Sequence, residues 1–350
     1  MNNCPGPTAP QKEITAYLNK IYEQGDLEPV MNELHLWSLD SEYINKDKLE
    51  KNSIREFYDL DYDLYFSYQI NYARAGYQQK NKPALPEGAE CLICRENASS
   101  PGKENLRIFD LKLKGVEEET DFFLQLTPFP LFPRHLVLIN REHTPMNMGA
   151  ESIAQSLSFI GMAPHYTLCS NSDLEWAGAS ILSHSHFQLL HKRRLPVMNA
   201  SPLFEFDSEK GLKVEALRFP LPVIRLSSEK RTDLVREGSR IIDLWKKTAP
   251  GMRTVNMLIY REENNFICTL VLRDSQFRTP EDLQKYKSEG IGVVEAAGSW
   301  IFPPPSGYPE EELTQNSREI IKGFFKGIRV FDPLDIKGYD FLPYKRKENV

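Results

Sequence analysis

The sequence predicts an α+β fold built mainly on antiparallel sheet with helices packed against it. From Cys91 onward, short strand-like runs joined by turn residues dominate the chain. Stretches with helical apolar spacing, at 147–163 and 227–249, fall between those runs. The order strand, helix, strand, loop, strand recurs in both halves, which predicts a structural duplication that no sequence repeat announces.

Residues 1–85 are mostly helical in pattern, including the Tyr-rich stretch "YDLDYDLYFSYQINYARAGY", whose aromatics suit a core or a docking surface. Lys80–Gly88 reads as a loop. "LRIFDLKL" and "DFFLQLT" read as strands joined by the acidic turn "GVEEET", and Pro128–Pro133 as a rigid connection. "HLVLIN" is a strand, 147–163 a helix, "HYTLCSN" a strand, "DLEWAGAS" a loop and "HSHFQLL" the next strand. After "SPLFEFD" the pattern starts over. "GLKVEALRFPLPVIRL" gives strand signals, and 227–249 a helix with Ser227 or Ser228 as its N-cap. "VNMLIYRE" and "FICTLVLRD" form a hairpin, "PEDLQKYKSE" a short helix, "GIGVVEAAGSWIFP" one or two strands, and "PEEELTQNSREIIKGFFKGI" a helix. The expected division is a mostly helical extension over 1–88, one half over 89–212 and a second over 213–350.

The composition bounds the function. With 41% hydrophobic and 26% charged residues the chain has an ordinary globular composition. No apolar run approaches the ~20 residues of a membrane span, and the first residues carry no secretory pattern. Five cysteines in 350 residues are no disulfide scaffold; a cytoplasmic protein with no membrane partner is expected. A net charge of −6 argues against nucleic acid as a partner.

The chemistry concentrates in "SHSHFQLLH". Six of the seven histidines lie between His135 and His191. Alternation on a strand would put His184, His186 and Gln188 on one face. Neutral imidazole is both a nucleophile and a metal ligand near pH 7. Cys91 and Cys94 form a CxxC that chelates a metal from a tight turn or does redox work. A zinc site needs two further ligands, for which His143 and His184 are the candidates. A Lys192–Arg194 run follows the histidines and could meet an anionic substrate or simply face solvent.

Taken together, "CLICREN", "PFPLFPRHLVLINREHTP" and "HSHFQ" resemble the histidine-triad superfamily in its nucleotidyltransferase branch. That branch holds the galactose-1-phosphate uridylyltransferases, the dinucleoside tetraphosphate phosphorylases and the GDP-hexose phosphorylases. The resemblance is specific over 91–196 and weaker beyond, where "REENNFICTLVLRD" and "EAAGSWIFPPP" resemble a degenerate second repeat. It implies two histidine-triad-like halves, the second degenerate. It further implies that His186 attacks an α-phosphorus and that Gln188 hydrogen-bonds the phosphoryl oxygens. Zn2+ would be held by Cys91, Cys94, His143 and His184, and Asn97 and Ser180 would line the nucleotide and phosphate site. Arg193 is the substrate-facing candidate of the basic run. The chain departs from the uridylyltransferases in having Ser185 between the histidines and one more residue between Ser180 and His184. Its Pro-Phe-Pro and "HTP" segments are closer to the GDP-hexose phosphorylases.

The expected function is transfer of a nucleotidyl group from a nucleoside diphosphate sugar through a nucleotidyl-histidine, with phosphate or a sugar 1-phosphate as acceptor. The family's hydrolases carry a third histidine where this chain has Gln188. A hydrolase of the same fold, a non-enzymatic zinc-stabilised nucleotide-binding protein and a Cys91–Cys94 redox protein are the competing readings. Exposed edge strands make a homodimer compatible with the sequence.

Overall fold

The computed structural model describes residues 4–23, 25–74, 85–178 and 181–347. The chain opens with helices α1 (Gln11–Tyr22), α2 (Leu27–Asp40) and α3 (Lys46–Glu50). Strands β1 (Arg55–Asp59) and β2 (Leu64–Ile70) follow. Next come β3 (Ile108–Lys114), β4 (Glu119–Leu126), β5 (His135–Asn140), α4 (Ala150–Met162), β6 (Tyr166–Ser170) and β7 (His186–His191). The rest is β8 (Pro202–Phe206), β9 (Leu212–Leu217), β10 (Val223–Ser228), α5 (Arg231–Thr248), β11 (Arg253–Glu262), β12 (Asn265–Asp274), α6 (Val293–Ala296), β13 (Ser299–Phe302) and α7 (Glu310–Ile328).

Among the described residues, ten strands form one sheet in the order β3-β4-β5-β7-β6-β11-β12-β10-β9-β8. Every pairing in it is antiparallel. The order shows the duplication: β3-β4-β5-β7-β6 and β8-β9-β10-β12-β11 are the same walk, each with one helix after its third strand. The two walks meet antiparallel at the centre, where Cys169 of β6 pairs with Leu258 of β11. The expected α+β class with antiparallel sheet is what the chain adopts.

Alternation along the strands gives the large sheet two faces. One buries Leu136, Leu138, Phe187, Leu189, Ile224 and Leu226 under α1, α2, α4 and α5. Trp245 of α5 is 1% exposed in that layer, and truncating so buried an aromatic costs about 3–5 kcal/mol. The opposite face packs Leu190, Val223, Leu258 and Val271 against α7 and a second sheet, β1-β2-β13. His186 and Gln188 of β7 belong to this second face.

Helix ends follow elementary rules. Asp26 caps α2 by accepting from the Glu28 N–H, and Glu310–Glu312 occupy the first turn of α7, where acid suits the helix dipole. The β11–β12 turn is two residues long, with Glu263 at φ 50°, as a tight hairpin of right-handed twist demands.

Four local expectations are corrected. The start of the Tyr-rich stretch is not helical but supplies β1 and β2. Leu64, Phe66, Tyr68 and Ile70 alternate with period two and are buried, and "DLDYD" supplies the turn; its end, with most of the Lys80–Gly88 loop, lies outside the described residues. Helix α5 is capped at Lys230 rather than at Ser227 or Ser228. Both serines still pair in β10, and Ser228 Oγ accepts the Lys230 N–H at 3.1 Å. "PEDLQKYKSE" holds only a single 3-10 turn, Glu281–Leu283. "GIGVVEAAGSWIFP" splits into the short α6 and one strand, because Gly298, at φ 98°, breaks the run in the left-handed region.

Candidate active site and metal centre

The CxxC turn lies beside the segment that follows β5 and the segment that precedes β7. Asn97 staples it: its Nδ2 donates to Cys91 O at 2.9 Å and to Cys94 O at 3.0 Å. Its Oδ1 accepts from Lys103 Nζ at 2.9 Å. Buried and fully used, Asn97 shapes the turn and does not line the cleft described below.

Residues 140–146 and 182–185 are zipped together by backbone bonds. Asn140 N donates to Ser185 O at 3.0 Å, Ser185 N to Thr144 O at 2.7 Å and Met146 N to Leu182 O at 2.8 Å. That pairing brings His143 and His184 to the CxxC turn. Cys91 Sγ lies 3.6 Å from Cys94 Sγ and 3.3 Å from His184 Nδ1. Cys94 Sγ lies 3.3 Å from His143 Nδ1 and 3.6 Å from His184 Nδ1. All four ligand atoms fall within 4.8 Å of one another. A tetrahedral zinc with S and N ligands has edges of about 3.3–3.8 Å, so the four expected ligands fit a metal ion. His184 Nε2 donates to Asn140 O at 2.7 Å, which leaves Nδ1 with its lone pair toward the cluster. Burial raises the Cys91 thiol to about 11 and lowers His184; a cation is the partner that would favour the thiolates.

His184 precedes β7 rather than standing in it, so the expected single row of His184, His186 and Gln188 is broken at its first member. The zipped segment turns His184 into the cluster, while His186 and Gln188 line a cleft of about 700 Å³. His186 Nδ1 donates to His184 O at 2.8 Å. With the proton held there, Nε2 keeps a free lone pair. Burial lowers the His186 pKa and keeps the ring neutral. The Cys/His cluster and the imidazole are thus joined through two residues of backbone.

The cleft has two kinds of wall. Ile93, Phe129, Leu131 and Val137 make an apolar one on the β5 side. Across β7, Glu175 and Trp176 from the loop after β6, with Lys287 and Glu295 from the segment around α6, make a charged and aromatic one. Lys287 pairs with Glu295 at 3.0 Å. This second wall is held from behind. Arg273, wholly buried, donates to Asn256 Oδ1 at 2.5 Å and to Ile291 O at 3.0 Å. Asn256 Nδ2 donates to Ala177 O at 2.9 Å, and Asn171 Oδ1 accepts from Val293 N at 2.9 Å. Gly178, at φ 98°, sits where a Cβ would come within 2.5 Å of Gly292 Cα, so only glycine lets the two loops touch.

His135 is a site residue that sequence reasoning passed over. Its Nδ1 accepts the Leu131 N–H at 3.1 Å, so Nε2 carries the proton. It lines the cleft beside Gln188; burial lowers its pKa to about 4, and the Gln188 side chain opposes that shift. The signal was available: His135 pairs with Leu190, two positions along from Gln188 on the same face. Arg193 does not line the cleft; its guanidinium lies 4.6 Å over the Phe132 ring. Arg194 is paired with Glu262 at 2.7 Å. Ser180 lies outside the described residues. Among the described residues no helix is long and apolar enough to cross a membrane.

Residues 43–191 match a domain of unknown function, DUF4922. The galactose-1-phosphate uridylyltransferase of Staphylococcus saprophyticus is 29% identical over 324 residues, covering 83% of this chain and 62% of that protein. The Clostridium acetobutylicum enzyme of the same name is 28% identical over 339 residues, covering 87% of this chain and 62% of that protein. The chain is thus similar in sequence to galactose-1-phosphate uridylyltransferases over most of its length. It spans about 62% of the length of those two relatives. In fold it is similar to yeast Ap4A phosphorylase, solved in complex with AMP, with a TM-score of 0.52 at 12% identity, covering 86% of this chain and 96% of that one. The resemblance read from "CLICREN", "NREHTP" and "HSHFQ" is therefore matched by both sequence relatives and fold.

Proposed function

We propose that this protein transfers a nucleotidyl group from a nucleoside diphosphate sugar to phosphate or a sugar 1-phosphate through His186. The observation that carries the reading is the 2.8 Å bond from His186 Nδ1 to His184 O. It fixes the tautomer whose Nε2 is a nucleophile, on a ring that lines the cleft. In the first step Nε2 forms a bond to the α-phosphorus. The bond from that phosphorus to the bridging oxygen breaks, and the sugar 1-phosphate leaves with the electron pair. The imidazole keeps its Nδ1 proton and its added positive charge is shared with the His184 carbonyl dipole. In the second step an acceptor phosphate oxygen attacks the phosphorus, the N–P bond breaks and the lone pair returns to Nε2.

Gln188 and the His135 Nε2–H line the same cleft and supply donors for the non-bridging oxygens, where charge develops. The apolar wall of Ile93, Phe129, Leu131 and Val137 suits a planar base. Zinc bound by Cys91, Cys94, His143 and His184 would supply structural constraint: with it in place His184 is fixed, and so is the carbonyl that orients His186. The chemistry then belongs to residues 89–212, with the helices of 1–88 packed on one face of their sheet, β1 and β2 on the other, and 213–350 as the second half.

The test is intact-protein mass after mixing with UDP-, GDP- and ADP-sugars in the absence of acceptor. A gain of one nucleoside monophosphate, absent from His186→Ala and discharged by phosphate or a sugar 1-phosphate, is the expected result. Release of free monophosphate with no adduct would make the protein a hydrolase instead.

A further inference from the structure

We propose that Trp176 is the surface on which the sugar ring of the donor stacks. The inference rests on the nucleotidyl-transfer reading and assigns its leaving half to one side chain. The chain has four tryptophans. Trp37, Trp245 and Trp300 are core residues at 2%, 1% and 0% exposure, whereas Trp176 is 45% exposed and lines the cleft. Its backbone lies at φ 66°, a left-handed conformation that a bulky side chain adopts only under constraint. The constraint is visible on the next residues, in the Asn256 bond to Ala177 O and the close seat of Gly178 on Gly292. The Arg278 guanidinium lies 4.5 Å over one face of the indole. A strained, half-exposed indole backed by a cation is a stacking surface and not a core residue.

Its position selects the ligand. In the sheet β5 and β6 flank β7 on opposite sides. The base-like apolar wall is on the β5 side, and Trp176 belongs to the loop that leaves β6. Among the described residues its side of the cleft is lined by Glu175, Glu289 and Glu295 and by Lys287, which is paired with Glu295, while Arg278 stands behind the indole. Carboxylates there repel a polyphosphate chain and accept hydrogen bonds from hydroxyls. A pyranose meets both demands, with an apolar C–H face for the indole and a rim of hydroxyl donors for the acids.

The probe is Trp176 fluorescence in His186→Ala, which binds donor without turning it over. UDP-glucose, GDP-mannose and ADP-glucose are compared with UDP, GDP and ADP, which differ from them by the sugar alone. The expected result is that one sugar nucleotide shields emission from acrylamide, that its parent diphosphate does not, and that Trp176→Phe on the same background removes the effect. In the His186 protein, Trp176→Ala should raise KM for that donor about tenfold, Trp176→Phe by less, with the limiting rate of adduct formation little changed. Equal shielding by the parent diphosphate would hand the ring to the base and overturn the proposal. So would an unchanged KM in Trp176→Ala, or no shielding by any sugar nucleotide. These failures leave adduct formation by the His186 protein intact; absence of an adduct with every donor would instead sink the transfer reading along with it.

Discussion

The two halves of the large sheet share one strand order and differ in what they place on the same face. On β7 that face carries His186 and Gln188; on β12 it carries Ile267 and Thr269, beside Arg225 and Ser227 of β10. The second half fills its open face with ion pairs, Arg225 to Glu215 at 2.9 Å and Lys213 to Glu215 at 2.5 Å. The connections differ as well. The chain passes from β11 to β12 through residues 263–264 but from β6 to β7 through 171–185. The longer connection carries His184 to the Cys/His cluster and Trp176 to the cleft. A repeated scaffold therefore becomes a candidate active site by three additions: an imidazole, a ligand cluster that fixes it, and a loop long enough to build a wall.

The contrast can be broken most severely at His186. His186→Ala should lower turnover by about 10⁴-fold or more, the usual scale for losing a covalent nucleophile, while Thr269→Ala on the equivalent strand leaves the rate of adduct formation near that of the parent. Next comes the metal cluster. Cys94→Ser should reduce bound zinc below one per chain by elemental analysis and lower the melting temperature by about 10 °C or more. Gln188→Ala should slow both half-reactions by about 10²-fold without preventing the adduct, as expected for loss of a donor to developing charge; rapid-quench kinetics reads this directly.

Smaller effects test how the halves are tied together. Asp173 accepts from Lys246 of α5 at 2.6 Å, Thr254 at 2.5 Å and Met148 N at 2.9 Å. Burial opposes its charge, but those donors prevail and hold its pKa below the usual carboxylate value of 3.8. A depressed carboxylate stabilises the fold above its unfolded pKa, and that stability is lost as pH falls through the folded value. Asp173→Asn should cost about 1–3 kcal/mol in urea unfolding at pH 7, with the gap from the parent closing below about pH 4.

Much of this was legible in the sequence because it rests on local spacing. CxxC and the histidine alternation drew attention to Cys91, Cys94, His184 and His186, the family resemblance supplied the candidate roles of these residues and of His143, and strand periodicity gave the β11–β12 hairpin. What escaped was non-local. Nothing in "VLRDSQ" marks Arg273 as the buried clamp of two cleft loops, since its partners Asn256 and Ile291 are set by folding. Asn97 fitted a family position, yet its side-chain hydrogen bonds all turn inward to the CxxC turn and Lys103. The helical reading of 58–70 failed because it ran the charged turn at 60–63 together with the period-two strand Leu64–Ile70 that follows it.

The most direct measurement localises the trapped nucleotidyl group by peptide mass spectrometry at neutral to alkaline pH, where phosphoramidates persist. The account predicts a nucleoside monophosphate on His186 alone, in the peptide that also contains His184 and His191. A modification on another residue, or an unmodified protein that still moves nucleotide from donor to acceptor, would contradict it.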